Sequence, residues 1–262
     1  PAALALEVFH NFTLLHDDVM DKADVRRGRP TVHVKWNENT AILSGDQMLI
    51  EAYKLLSGVP ADKLPKVLQL FNKMATEICE GQQYDVDFES QEHVTIDEYL
   101  KMIRLKTSVL LANALQTGAY IAGADEQAQE ALYQFGINIG LAFQIQDDIL
   151  DVWGDPKTFG KAVGGDISCN KKTFVYLEAM RRLGDETKDN ELQQWYSQVL
   201  EDNTEKIVAV KNIFEQLGVR EQCEKVVEDY TQEALDILDK LPQNQATEQL
   251  RKLADKLNNR NS

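Results

Sequence analysis

The chain has 262 residues, of which 43% are hydrophobic and 27% charged, and its 43 acidic against 28 basic side chains give a formal net charge of −15. This is the composition of a folded globular protein whose field disfavours nucleic acid; an anionic ligand would need local cations or a metal. Cys79, Cys169 and Cys223 form no CxxC pair and the four histidines are scattered, which argues against a zinc site or disulfide framework and for a reducing, cytoplasmic setting.

Helical periodicity runs through nearly the whole sequence and strand alternation through almost none of it. Helices are expected at about 1–24, 39–57, 61–81, 96–121, 125–153, 170–183, 189–201, 204–240 and 244–259. The opening PAALALEVFH reads as the middle of a helix, so upstream residues are expected to be missing. The mostly apolar AILSGDQMLIEAYKLL belongs inside a bundle. Two polar connections stand out, YDVDFESQEHVT (84–95) and the Gly-rich WGDPKTFGKAVGGDISCNKK (153–172), and long loops of this kind tend to be functional. Beyond about 185 the pattern is that of charged, amphipathic scaffold helices. Six prolines and short connections fit a single all-α bundle, 1–262. No apolar run is long enough to span a membrane, so no stable membrane insertion is expected.

Two aspartate clusters carry the chemistry. Asp17, Asp18 and Asp21 in LLHDDVMD fall at about 0°, 100° and 40° around a helix, and Asp147, Asp148 and Asp151 in FQIQDDILD repeat the arrangement. Both triplets sit in strongly apolar helices, where three like charges on one arc are costly unless cations share the site. Hard oxygen donors without His or Cys select Mg2+, with Mn2+ as the alternative, and Mg2+ takes only one or two carboxylates per ion with phosphate oxygens filling the rest. One DDxxD is weak evidence; two, both in apolar helices, call for a phosphorylated ligand. Arg26, Arg27 and Arg29 follow the first triplet and suit bidentate phosphate contact. Lys161 and Lys171 lie in the second loop. Lys106 stands mid-helix in apolar company, where a lysine needs a partner.

These residues resemble the trans-isoprenyl diphosphate synthases, the farnesyl and geranylgeranyl diphosphate synthase group. The motifs LLHDDVMDKADVRRGRPT, GQQYD (81–85), KT (106–107), FQIQDDILD and GKAVGGDISCNKKT (160–173) occur in family order. The resemblance implies that Asp17, Asp21 and Asp147, helped by Asp18, Asp148 and Asp151, hold three Mg2+ ions on an allylic diphosphate. It places Arg26, Lys106 and Lys161 on that diphosphate, matches Lys171 to the last lysine of the family's motif among the substrate-binding residues, and places Arg27 on isopentenyl diphosphate. It further implies that Thr107 and Gln144 stabilise the allylic cation, that Gln82 and Asp85 support the site, and that the enzyme is a homodimer, with AILSGDQMLIEAYKLL as the candidate contact. The family's Gly-Lys-Arg segment upstream of the first motif has no counterpart here.

The uninterrupted DDVMD resembles enzymes making geranylgeranyl (C20) and longer products. Phe12, five residues before Asp17, is a bulky residue associated with short products, and Thr13 is small and permissive, so C20 is expected with C15 close behind. Phe12 lies roughly opposite the aspartate arc, so its role as a stop rests on the resemblance alone. Two rivals remain. A class I terpene cyclase shares the ionisation but usually replaces the second DDxxD. A catalytically silent partner subunit should have lost an aspartate, an arginine or Lys106.

Overall fold

The computed structural model describes residues 1–155, 163–184 and 190–258. Among them every element is helical except one hairpin. In chain order the elements are α1 (Ala2–Met20), β1 (Val25–Arg26), β2 (Arg29–Pro30), α2 (Val32–Lys35), α3 (Glu38–Leu56), α4 (Leu64–Ser90), α5 (Ile96–Ile103), a π-turn (Arg104–Ser108) and α6 (Val109–Ala122). They continue with α7 (Glu126–Trp153), α8 (Gly165–Ser168), α9 (Phe174–Leu183), α10 (Glu191–Tyr196), α11 (Thr204–Gln216), α12 (Val219–Asp239) and α13 (Gln245–Asn258).

The chain folds into two compact units, Pro1–Thr76 with Asn113–Glu130, and Glu77–Ala112 with Ala131–Ser262. In the first, α1 packs on α3 through buried Ala2, Ala5 and Phe9 against Ala41, Ala52 and Leu56. Phe9 meets Phe71 edge to face at 5.1 Å, and buried Asn113 ties α6 to α4 by donating to the Leu70 carbonyl at 3.0 Å. In the second, α7 is the central element, buried at Ile139, Leu141, Ala142, Ile145, Ile149, Leu150 and Val152. A helix so enclosed needs apolar residues all round, which is how its sequence reads.

The differences from the sequence-based boundaries have local causes. No strand was expected, yet Arg27 (φ +52°) and Gly28 (φ +72°) form a two-residue turn pairing Arg26 with Arg29. Two successive positive φ values mark the type I′ hairpin, and an arginine held there is strained. α4 runs on to Ser90, through most of the stretch read as a loop. Nothing there breaks a helix, and Gln83 Nε2 donates to Asp87 Oδ1 at 2.8 Å across one turn. The connection that remains ends in a capping box between Thr95 and Glu98. The helix expected at 96–121 is interrupted by the π-turn. The one expected at 204–240 divides at Gly218 (φ +61°), and α10 ends at Tyr196 rather than near 201.

Close approach of backbones sets the second unit. A Cβ added to Gly81 of α4 would overlap the Lys106 amide nitrogen and come within 2.7 Å of the Leu105 carbonyl carbon; at Gly140 of α7 it would come within 2.5 Å of Ser108 Cα. The π-turn is thus clasped between two glycines. Gly81→Ala is expected to destabilise by about 1–3 kcal/mol in urea unfolding, because the backbone overlap outweighs the gain of about 1 kcal/mol that alanine brings to a helix interior. Cys79 and Cys169 are exposed, whereas burial pushes the wholly enclosed Cys223 thiol far above its ordinary value. A thiol reagent is therefore expected to modify two cysteines in the native protein and the third only on unfolding, as counted by mass spectrometry.

Candidate active site

The first aspartate cluster ends α1. Asp18 is 5% exposed and accepts from Arg26 Nε at 2.7 Å, while Arg26 Nη2 lies 3.4 Å from Asp17 Oδ2. Burial raises the Asp18 carboxyl above its ordinary value and Arg26 pulls it back. Asp21 caps the helix and is exposed. The hairpin that brings Arg26 onto the aspartates is held by the buried Thr31, whose Oγ1 donates to the Ala23 carbonyl at 2.6 Å. Arg26, expected on a diphosphate, pairs with Asp18, and Arg27 is exposed at the tip of the turn. Phe12 packs between Phe9 (5.5 Å) and His16 (4.8 Å), and the Thr13 hydroxyl donates to the His10 carbonyl.

In the second unit α4, the π-turn, α5, α7 and the start of α9 assemble a polar cluster. Lys106 Nζ, near the middle of the π-turn, donates to Asp85 Oδ2 of α4 at 2.6 Å. This joins the GQQYD and KT motifs and gives Lys106 the partner its surroundings demanded. Thr107 Oγ1 donates to Gln144 Oε1 at 3.1 Å, and Gln144 Nε2 donates to Asp148 Oδ1 at 3.3 Å. Asp148 is 3% exposed; its Oδ2 accepts from Tyr99 Oη at 2.5 Å and from the Phe174 amide at 3.0 Å. Burial, foremost, together with the charge of Asp166, pushes its carboxyl well above the usual carboxylate range, against the pull of those donors. Burial also raises the Tyr99 phenol, which stays protonated and donating. Asp151, likewise buried, accepts from the Asp166 amide at 3.1 Å, and Asp147 is half-buried. Gln82 is half-buried on α4, Lys171 is half-buried and Lys161 lies outside the described residues.

The six aspartates therefore fall into two groups. Asp18, Asp148 and Asp151 are buried and take hydrogen bonds from the protein itself. Asp17, Asp21 and Asp147 are the more exposed. Among the described residues no three His, Cys, Asp or Glu side chains converge into a ready-made cage. An all-oxygen donor set offering one or two carboxylates per ion nevertheless suits Mg2+, which completes its shell with water and phosphate.

Sequence reading missed two residues. Tyr99 lies two helical turns before Lys106, a spacing that could have been noticed. Lys206, in the region read as scaffold, is wholly buried; its Nζ donates to Asn170 Oδ1 and to the Gln198 carbonyl (3.1 Å). It thereby holds Asn170 at φ +58°, the residue before Lys171.

This arrangement of helices and clusters is the all-α isoprenoid synthase fold. The chain belongs to the polyprenyl synthetase family, whose profile matches residues 1–217. It is 46% identical over 184 residues to geranylgeranyl diphosphate synthase of Methanosarcina mazei, across 70% of this chain and 57% of that protein. It is 40% identical over 263 residues to geranylfarnesyl diphosphate synthase of Natronomonas pharaonis, across 97% of this chain and 73% of that protein. A crystal structure of a geranylgeranyl pyrophosphate synthase superposes with a TM-score of 0.93 at 50% identity, covering 100% of this chain and 81% of that one. The match to the Methanosarcina enzyme thus spans under three-fifths of that enzyme's length.

The Asp85–Lys106 pair is about one-fifth exposed on each side, so it is screened less than a surface pair. Asp85→Asn and Lys106→Met are expected to be non-additive in urea unfolding, with a coupling of about 1 kcal/mol in a double-mutant cycle.

Proposed function

We propose that the protein is a Mg2+-dependent trans-prenyltransferase that condenses an allylic diphosphate with isopentenyl diphosphate, 1′-4, to a short all-trans product, geranylgeranyl diphosphate (C20) first and farnesyl diphosphate (C15) second. The observation that carries this reading is the cluster of Lys106, Thr107 and Gln144 beside DDILD, in a chain resembling a geranylgeranyl diphosphate synthase at 46% identity.

The reaction begins by breaking the allylic C–O bond; diphosphate leaves with the electron pair and a cation remains. The isopentenyl double bond attacks C1, and the proton then lost goes to the departed diphosphate, so no protein base is needed. Members of the family use Mg2+; Asp17, Asp21 and Asp147 would hold it, three ions in all by resemblance, and the metal would supply Lewis-acid charge for the leaving group. Lys106 adds positive charge at the diphosphate while Asp85 fixes its direction. Lys171 and Lys161 contribute to the same anion, and Arg27 binds isopentenyl diphosphate. Arg26 contacts the same diphosphate by resemblance and also balances Asp18, so that the end of α1 keeps its shape under a heavy negative charge. Thr107 Oγ1 and Gln144 Oε1 turn oxygen lone pairs towards the cation, which needs dipoles and neither a base nor a nucleophile. Gln82 supports the site from α4. Phe12 and Thr13 bear on product length, and a homodimer is the assembly we propose.

The test is incubation with Mg2+, labelled isopentenyl diphosphate and each allylic primer, followed by sizing of the products. A C20 chain is the expected result, and a C15 chain would keep the enzyme while moving its stop. Cyclised hydrocarbon would favour the cyclase, and absence of condensation the silent subunit.

A further inference from the structure

Asp148 has no need of a metal to satisfy it. Three donors from three directions already meet its two oxygens: the Tyr99 hydroxyl, the amide that opens α9, and the Gln144 side chain. Tyr99 is 4% exposed and packs on the Phe174 ring at 6.4 Å, so its hydroxyl is aimed by a ring with a fixed seat. With Oδ2 held by Tyr99 and Phe174, only Oδ1 faces Gln144.

That leaves one orientation for the Gln144 amide. Asp148 Oδ2 already accepts from the Tyr99 hydroxyl and the Phe174 amide, Oδ1 accepts from Gln144 Nε2 at 3.3 Å, and Gln144 Oε1 is thereby left to accept from Thr107 Oγ1 at 3.1 Å. A flipped amide would set oxygen against oxygen at Asp148 and turn its NH2 towards Thr107. The difference matters for a reaction that passes through a cation, because the flipped amide offers the positive end of its dipole where the negative end is required.

We propose that Tyr99 and Asp148 are positioning residues that lock the polarity of the Gln144 amide, so that Gln144 Oε1 and Thr107 Oγ1 face the allylic cation. The proposal rests on the prenyltransferase reading above. It assigns the second aspartate of DDILD to orienting Gln144 rather than to ligating metal, and it gives Tyr99 a part in the reaction although Tyr99 touches no substrate.

The experiment is steady-state kinetics of the full chain carrying Tyr99→Phe, which keeps the ring and removes the hydroxyl. The expected result is a kcat roughly 10- to 100-fold lower, less than the 10²–10³ typical of removing a dipole that touches the reacting charge, since Tyr99 acts through two intervening groups. KM for both diphosphates and the half-saturating Mg2+ concentration should stay within about twofold. In a Gln144→Leu background the same substitution should cost less than threefold, because the group it orients is gone. Asp148→Asn serves where Tyr99→Phe fails to fold: it places an NH2 where Gln144 now donates, inverts the amide, and should lower kcat with KM and Mg2+ dependence kept. An unchanged kcat in Tyr99→Phe, a loss that is fully additive with Gln144→Leu, or a shifted Mg2+ dependence overturns the positioning role. If the unmodified chain fails to condense the substrates, it is the prenyltransferase reading that falls, and the two failures are distinct.

Discussion

Burying a carboxylate in a helical bundle costs several kcal/mol unless hydrogen bonds replace the water it gives up. Asp148 meets that cost with donors from α5, α7 and the first amide of α9. Much of the second unit follows from this arrangement. The amide that opens α9 would otherwise be one of the orphaned donors of a helix start, and here it is matched to the acceptor that most needs it. The phenol of Tyr99 and the amide of Gln144 are fixed in the same way. Stability and chemistry share one group: the hydrogen bonds that make Asp148 tolerable also orient the residues proposed to meet the cation.

The first unit answers the same problem differently. Asp18 is nearly as little exposed as Asp148 but is met by a guanidinium. Delivering that group requires a tight hairpin whose tip holds Arg27 in a left-handed conformation. Strain of this kind persists only where the surroundings over-determine it, and the hydrogen bond from Thr31 to Ala23 is part of what does so. Negative charge, its neutralisation and the exposed Arg27 are thus one local construction. It follows directly from the dense alternation of aspartates and arginines in this stretch.

The aspartate clusters were legible in the sequence because helical spacing converts directly into a shared face, and the all-α class because period 3.6 pervades the chain. The family's motifs added Lys106, Thr107, Gln144 and Asp85, two pairs of which the structure brings within hydrogen-bond distance. The hairpin was not legible: strands of two residues have no alternation to detect, and Arg27 is an unusual choice for a positive φ. The difference in burial within each DDxxD was also hidden, since three aspartates on one arc look alike until the fold separates them. Tyr99 escaped notice because its value lies in a carboxylate 49 residues away, and Lys206 because a buried lysine among amphipathic helices has the spacing of a surface one.

The π-turn carries a consequence for how this part of the chain can change over time. A π-turn is an α-helix with one residue too many, accommodated locally. Loss of a single residue between Arg104 and Ser108 would let α5 and α6 run on as one regular helix with their faces largely kept, and what would be lost is the local widening of the turn that carries Lys106 and Thr107. Lys106 and Thr107 both lie in that widened turn, so their pairings with Asp85 and Gln144 depend on the extra residue. The length of this five-residue segment is therefore a constraint of its own, separate from the identity of the residues within it.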